Sequence, residues 1–247
     1  MADYATEGGH FYKKDGTPCY TIKGKNGVER PTTLRDARKL NLVPSVTTII
    51  ACCAKPGLEA WKQEQTIMAC LTLPKIEGES EADFIARLKA DSKEQSEKAK
   101  ERGTQIHAWV QMGFEGQDVP PEGQIFYDSA RMTLDFICGD IDWISEKPFA
   151  NERYGGKVDL HSLDYLIDIK STDKDLATVK TWDEHAMQLA AYNMGIWDTF
   201  IGCGILYVNS KTAEAKLILI DAKEIERGYE CFNALLDYWY AKNKLGR

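Results

Sequence analysis

Two aspartates and a lysine stand among apolar residues in the stretch GGKVDLHSLDYLIDIK, residues 155–170. Strand alternation sets Leu166, Asp168 and Lys170 on one face and Tyr165, Ile167 and Ile169 on the other. The preceding segment is expected to place Val158 and Leu160 on one face and Lys157, Asp159 and His161 on the opposite one. Ser162 to Asp164 supply turn chemistry between them. With Asp159 opposite Asp168, their Cβ atoms would lie about 4.5–5.5 Å apart. Carboxylates that close repel, and either a raised pKa or a divalent cation relieves them. A buried Asp–Lys ion pair would account for D-x-K alone.

The elements that must hold these residues follow from the patterning. Short runs broken by Asp15-Gly16 and Asn26-Gly27 read as hairpins between His10 and Arg30. Ser45 opens the apolar segment VTTII as an N-cap, a position that is also a possible phosphate seat. A helical pattern runs from Leu58 to about Gly113, with a loop near Pro74–Ser80, and a further helix covers Gly123–Cys138. After Gly139 the texture changes to strands, with helices over Lys180–Trp197 and Glu224–Lys244. The last of these is expected to bury Tyr229, Phe232, Leu235, Leu236 and Trp239. The predicted organisation is one domain over 1–247: a basic hairpin segment (1–43), a helical region (44–139) and an α/β core (140–247).

Composition narrows the function classes. With 43% hydrophobic and 28% charged residues, the 247-residue chain is neither disordered nor collagen-like. No apolar run approaches the roughly 18 residues of a membrane span, and the first residues lack a signal-peptide core, so a cytoplasmic protein with no membrane partner is expected. Seven scattered cysteines without a C-x-x-C pair argue for a reducing compartment and against zinc or iron–sulfur sites. The net charge of −7 does not suggest a nucleic-acid binder, but its distribution is uneven. Residues 1–41 carry +3, with Arg30, Arg35, Arg38 and Lys39 close together, which leaves −10 on the remainder.

Two helical patterns add to the strand pair. His107 stands one turn after Gly103, on the same face. A glycine inside a helix costs about 1 kcal/mol against alanine, so close approach of another element beside the histidine is expected. An imidazole near two carboxylates would be a third metal ligand, admitting manganese as well as magnesium. Gln188 and Tyr192, at i and i+4, share a face of the Lys180–Trp197 helix.

In chain order these are G-x-x-x-H (Gly103–His107), Glu146, G-x-x-D (Gly156–Asp159), D-x-K (Asp168–Lys170) and Q-x-x-x-Y (Gln188–Tyr192). The series resembles the RecB-like branch of the PD-(D/E)XK nuclease superfamily, and PSVTTII resembles segments of its phage and mitochondrial single-strand exonucleases. The resemblance implies a mixed α/β fold, a central β-sheet flanked by helices in a restriction-endonuclease-like core, with an N-terminal helical extension. It implies Mg²⁺ or Mn²⁺ held by Asp159, Asp168, His107 and the Ile169 carbonyl, with Glu146 at the edge of the site. Lys170 would orient the attacking water, and Gln188 and Tyr192 would order the site or touch nucleic acid. Val158 stands where the family has a proline, and only Cys203 and Cys231 follow the core, so no iron–sulfur cluster is expected.

The function these features lead one to expect is a metal-dependent DNA nuclease. An exonuclease on single-stranded or duplex DNA ends is favoured, in phage DNA metabolism, recombination or repair, with a recombination or single-strand-binding protein as possible partner. Ser45 and Arg102 are further candidates for contact with the nucleic acid, and Lys93, Lys98 and Lys100 lie on the same helical half as Arg102, with Trp61 and Trp109 as candidate stacking residues. The alternatives are an endonuclease and a binding module on the same fold without turnover.

Overall fold

The structure is a computed structural model describing residues 9–54 and 56–244. Four short strands and two short helices come first: β1 (Phe11–Tyr12), β2 (Thr21–Lys23), β3 (Glu29–Pro31), α1 (Leu34–Leu40), β4 (Val43–Pro44) and α2 (Val46–Ile50). The helical half comprises α3 (Pro56–Thr72), α4 (Glu81–Phe114) and α5 (Pro121–Cys138). The remainder is β5 (Ile144–Ala150), β6 (Gly155–His161), β7 (Tyr165–Thr172), α6 (Asp183–Ile196), β8 (Gly202–Asn209), β9 (Ala215–Ile220) and α7 (Ala222–Lys242). Among the described residues no helix is long and apolar enough to cross a membrane.

The fold is mixed α/β, as the patterning predicts. Strands β5 to β9 form one sheet in sequence order, antiparallel except for the parallel β7–β8 pair, which α6 connects. One face is covered by α4 and α5, whose Ile106, Trp109, Phe126 and Leu134 pack on Leu160, Ile167, Ile169 and Leu206. The other is covered by α2, α6 and α7, whose Ile49, Leu189, Phe232 and Trp239 meet Val158, Leu166, Ile205 and Tyr207. Of the five residues expected to be buried on α7, Phe232, Leu236 and Trp239 are buried, while Tyr229 and Leu235 are half-buried at the rim.

The Asn26-Gly27 hairpin forms between β2 and β3, and Asp15-Gly16 makes a tight turn that leaves a single Tyr12–Pro18 bridge. Strand β1 pairs instead with the distant β4. The basic cluster near residue 35 lies on and beside α1, where Arg30 pairs with Asp36 and Arg38 donates to the Asn243 carbonyl. Those two cations are committed to internal contacts.

One expectation fails in an instructive way. Val158 and Leu160 do not share a face: Val158 joins the core under α6 and α7, Leu160 the core under α4 and α5. The β6–β7 ladder is confined to the turn end, at Leu160–Ile167 and His161–Leu166. Beyond it the strands part, and β6 is released from the alternation a continuous ladder would impose. Gly155 pairs with Ala150 on one edge, so its parallel bridge to Ser45 lies on the other, the edge β7 has left. The β4–α2 junction thus stands in the mouth of a fork between β6 and β7.

Helix α6, which brings Gln188 and Tyr192 to this fork, is backed by α7 at Gly228, where a Cβ would lie 2.6 Å from the Ala186 carbonyl carbon. Backbone cannot retreat as a side-chain tip can. Gly228→Ala is therefore expected to cost about 1–3 kcal/mol, read as a lowered urea midpoint with an unchanged m-value.

Candidate active site in the β6–β7 fork

The fork is organised around Asp159. Where the ladder stops, its Oδ2 accepts the Ile169 amide at 2.8 Å, so a carboxylate replaces the carbonyl a neighbouring strand would have offered. From the α4 side, His107 Nδ1 lies 3.8 Å from the same oxygen, too long for a hydrogen bond but within ion-pair range. Gly103 explains how α4 comes this near: a Cβ there would sit 2.6 Å from Ser171 Oγ on β7. That is the close approach expected of a glycine one turn before the histidine.

Asp168 and Lys170 share one face of β7, and it is the face turned toward α6, where both meet Gln188. Asp168 is 2% exposed. Its Oδ1 accepts Gln188 Nε2 at 2.7 Å, and Gln188 Nε2 also reaches the Tyr192 hydroxyl oxygen at 3.1 Å. Lys170 Nζ lies 2.5 Å from Asp168 Oδ2 and donates to Gln188 Oε1 at 3.4 Å. The ammonium neutralises Asp168 Oδ2 without making a well-directed hydrogen bond to it, and that buried oxygen has no other donor. Gln188 and Tyr192, one turn apart on α6, thus act as a unit: the amide orients the carboxylate and the phenol shares the amide.

The electrostatics follow from burial. Asp159 is pushed up to about 6 by burial and next by the Asp168 charge, against the opposing pull of His107 and Lys170. Burial alone would lower Lys170, but Asp168 and then Asp159 outweigh it and leave the ammonium more strongly protonated than usual. The Tyr192 hydroxyl is held far above its ordinary range by burial, then by Asp168 and Asp159, so it remains a neutral phenol.

The other candidates are placed differently. The register that pairs Ser145 with Leu160 and Lys147 with Val158 sets Glu146 across from Asp159, with φ at +56°, and its carboxylate pairs with Lys157. Ser45 is 3% exposed; its oxygen accepts the Thr48 amide at 3.0 Å and its hydroxyl donates to Thr48 Oγ1 at 2.8 Å. Capping is its structural role, and α2 is only five residues long. The Arg102 guanidinium lies over Trp109 and Phe126, 5.1 and 5.0 Å from their ring centroids. Trp109 belongs to the core, while Trp61 is half-buried beside a cleft of about 500 Å³ where Gln95, Lys98, Arg102, Ser171, Lys174 and Lys211 also meet. The contributions of Lys157 and Lys211 were not singled out in the sequence; only the position of Lys157 on the Asp159 face hinted at the first.

Whether these residues fit a divalent ion can be asked of the donors themselves. Among the described residues no three His, Cys, Asp or Glu side chains are gathered as a ligand cluster. What is present is a pair of neighbouring carboxylates, one with a buried oxygen lacking a directed donor, and an imidazole beside the other. Oxygen donors of this kind suit magnesium or manganese, and the imidazole is compatible with manganese. The Ile169 carbonyl belongs to the same strand segment, between Asp168 and Lys170.

No protein-family model matches the chain, and no curated protein does. Among solved structures, a Eubacterium rectale protein whose name proposes an exonuclease is similar over 59% of this chain and 69% of its own, with 12% identity and a TM-score of 0.40. A protein designated SSO0001 is similar over 47% of this chain and 61% of its own, with 17% identity and a TM-score of 0.27.

The raised pKa of Asp159 fixes the sign of a pH effect. The folded state binds this proton more tightly than the unfolded chain does. The group's stabilising contribution is therefore complete below its ordinary value of 3.8 and is lost as pH rises through about 6. Asp159→Asn keeps an acceptor for the Ile169 amide and removes the repulsion. It should raise metal-free stability near neutral pH by at most about 3 kcal/mol, the equivalent of that shift. Manganese should raise the melting temperature of the parent more at about pH 7.5 than at about pH 5, because protons compete for the same oxygens. A larger manganese effect at the acid end would place the ion elsewhere.

Proposed function

We propose that the protein is a divalent-metal-dependent DNA nuclease that hydrolyses phosphodiester bonds from DNA ends. The observation that carries this reading is the fork itself: Asp159, Asp168 and Lys170 meet where two strands part, with His107 reaching in from α4 and Gln188 from α6. A strand pair that gives up its ladder to gather like charges sacrifices stability, which is what functional sites do.

In this reading Asp159, Asp168, His107 and the Ile169 carbonyl would hold Mg²⁺ or Mn²⁺, which would supply Lewis-acid charge at the phosphate. The protein's own groups do the rest. Gln188 keeps Asp168 from rotating away. The Lys170 ammonium, which lies between Asp168 and Gln188, orients the attacking water and faces the charge that grows on the non-bridging oxygens. The water oxygen bonds to phosphorus as the bond to the departing sugar oxygen breaks; that oxygen leaves with a proton and the other product keeps a terminal phosphate. Glu146, paired with Lys157 across from Asp159, borders the site. The cleft with Trp61, Lys98, Lys174 and Lys211, on the α4 side of β7 where Ser171 meets Gly103, offers cations and an aromatic face to one strand.

One observation favours the alternative of a binding module without turnover. The Lys170 ammonium already serves as counter-ion to Asp168, which is what a purely structural ion pair would look like. Digestion of end-labelled linear DNA with magnesium or manganese, against a closed circle and an EDTA control, separates the readings. Shortening of the linear DNA with the circle intact is expected, with Asp168→Ala slowed about a hundredfold or more. Rapid cutting of the circle would mean an endonuclease. Equal activity in Asp168→Ala and the parent would remove the fork from the chemistry altogether.

A further inference from the structure

The N-terminal segment that wedges the fork open carries an aromatic pair with no evident task in the core. The Ser45 amide donates to the His10 carbonyl at 2.8 Å, and the His10 amide donates to Thr48 Oγ1 at 2.9 Å, which fixes the backbone of His10 against the β4–α2 junction. The His10 imidazole is exposed and stacks on Tyr20, with ring centroids 4.6 Å apart and planes inclined by 29°. Tyr20 is held in turn by Tyr12, edge to face at 5.6 Å and hydroxyl to hydroxyl at 2.5 Å. Tyr12 is 3% exposed and packs on Gly155, where a Cβ would come within 2.8 Å of its ring. At the next residue, Gly156, a Cβ would meet the Tyr192 ring at 2.6 Å. Packing is therefore continuous from Tyr192, beside Asp168 and Gln188, through the start of β6 and Tyr12 to the His10–Tyr20 stack.

We propose that His10, backed by Tyr20, is a stacking platform for an unpaired nucleobase of the strand whose phosphate lies at Asp159 and Asp168. This rests on the nuclease reading above and adds a positioning role for the N-terminal segment. A ring pair pinned from behind, with its imidazole exposed among the described residues, offers a preorganised π-surface, and stacking does not depend on which base arrives. Partial burial of the imidazole and the nearby Lys100 ammonium hold it below its ordinary pKa, so at neutral pH it is an uncharged ring. Lys100 itself, on α4, leaves a cation near the base for the adjoining phosphate.

The test uses the full chain and a single-stranded oligonucleotide with 2-aminopurine at its terminal or next position. Binding is followed in EDTA, and digestion in manganese is measured in parallel. Quenching of 2-aminopurine on binding to the parent is expected. His10→Ala and Tyr20→Ala should lose most of that quenching and raise Kd by about 5- to 100-fold. Tyr20→Phe keeps the ring and should keep the quenching. In digestion, His10→Ala should raise KM with kcat nearly unchanged. Because His10 is exposed, His10→Ala is the variant that stays folded if Tyr20→Ala does not, and its melting temperature should match the parent's. Undiminished quenching in His10→Ala, with metal-dependent digestion intact, overturns the platform and leaves the nuclease reading standing. A parent that binds and quenches but digests nothing removes the nuclease reading and keeps the platform as a binding site, whereas a parent that does neither removes both.

Discussion

A single hydrogen bond, from the Ile169 amide to Asp159 Oδ2, defines what the β6–β7 fork can be. In a continuous sheet that amide would meet a backbone carbonyl, and a buried amide left unmet would cost about 1–3 kcal/mol. The aspartate meets it, so the strands can part without leaving an orphaned donor. The same carboxylate is thereby held near Asp168, one position beyond the last paired rung at Leu160–Ile167, with no hydrogen-bond partner for its second oxygen among the described residues. One side chain thus repairs the opening in the sheet and provides the charge that makes the opening useful.

The rest of the structure holds that arrangement against its own repulsion. Two carboxylates and one ammonium leave a net negative charge in a poorly solvated place, and the raised pKa of Asp159 is its signature. Neighbouring elements manage the charge without removing it. Gln188 orients Asp168, Lys170 balances it, and His107 stands off from Asp159 at 3.8 Å. Each comes from a different element, so the geometry depends on α4 and α6 seating on opposite faces of the sheet. Gly103 and Gly228 make those seatings close, the first directly on β7 and the second through α7 behind α6.

Much of this was legible in the sequence because it is local. The alternation along β7 put Asp168 and Lys170 on one face, the i, i+4 spacing paired Gln188 with Tyr192, and a glycine inside a helix signalled a close approach near His107. What could not be read depends on distant residues. The alternation along β6 misplaces Val158 against Leu160 because the ladder that would enforce it ends at Leu160, and further along the same edge the β4–α2 junction, more than a hundred residues upstream, takes the place beside Gly155. Helix α1 has a capping box at Thr33 and Asp36, but its seven residues are mostly charged and carry too short an apolar pattern to announce a helix. Ser45 was legible as a cap, yet its backbone matters more as part of the wedge.

Glu146 ties the sheet's irregularity to the site. A non-glycine residue at φ +56° inside a strand is uncommon and costs on the order of 1 kcal/mol or more. It falls across from Asp159, on the strand paired to the other edge of β6. The break in β6 is therefore matched by a break in β5, so the pairing on that side survives through a local twist. The Glu146–Lys157 ion pair holds the reversed residue in place and puts a third carboxylate next to the fork without adding its full charge. Glu146 and Asp159 face each other as the one unpaired step between the rungs Ser145–Leu160 and Lys147–Val158. The strain in one strand and the carboxylate in the next are thus two ends of the same constraint.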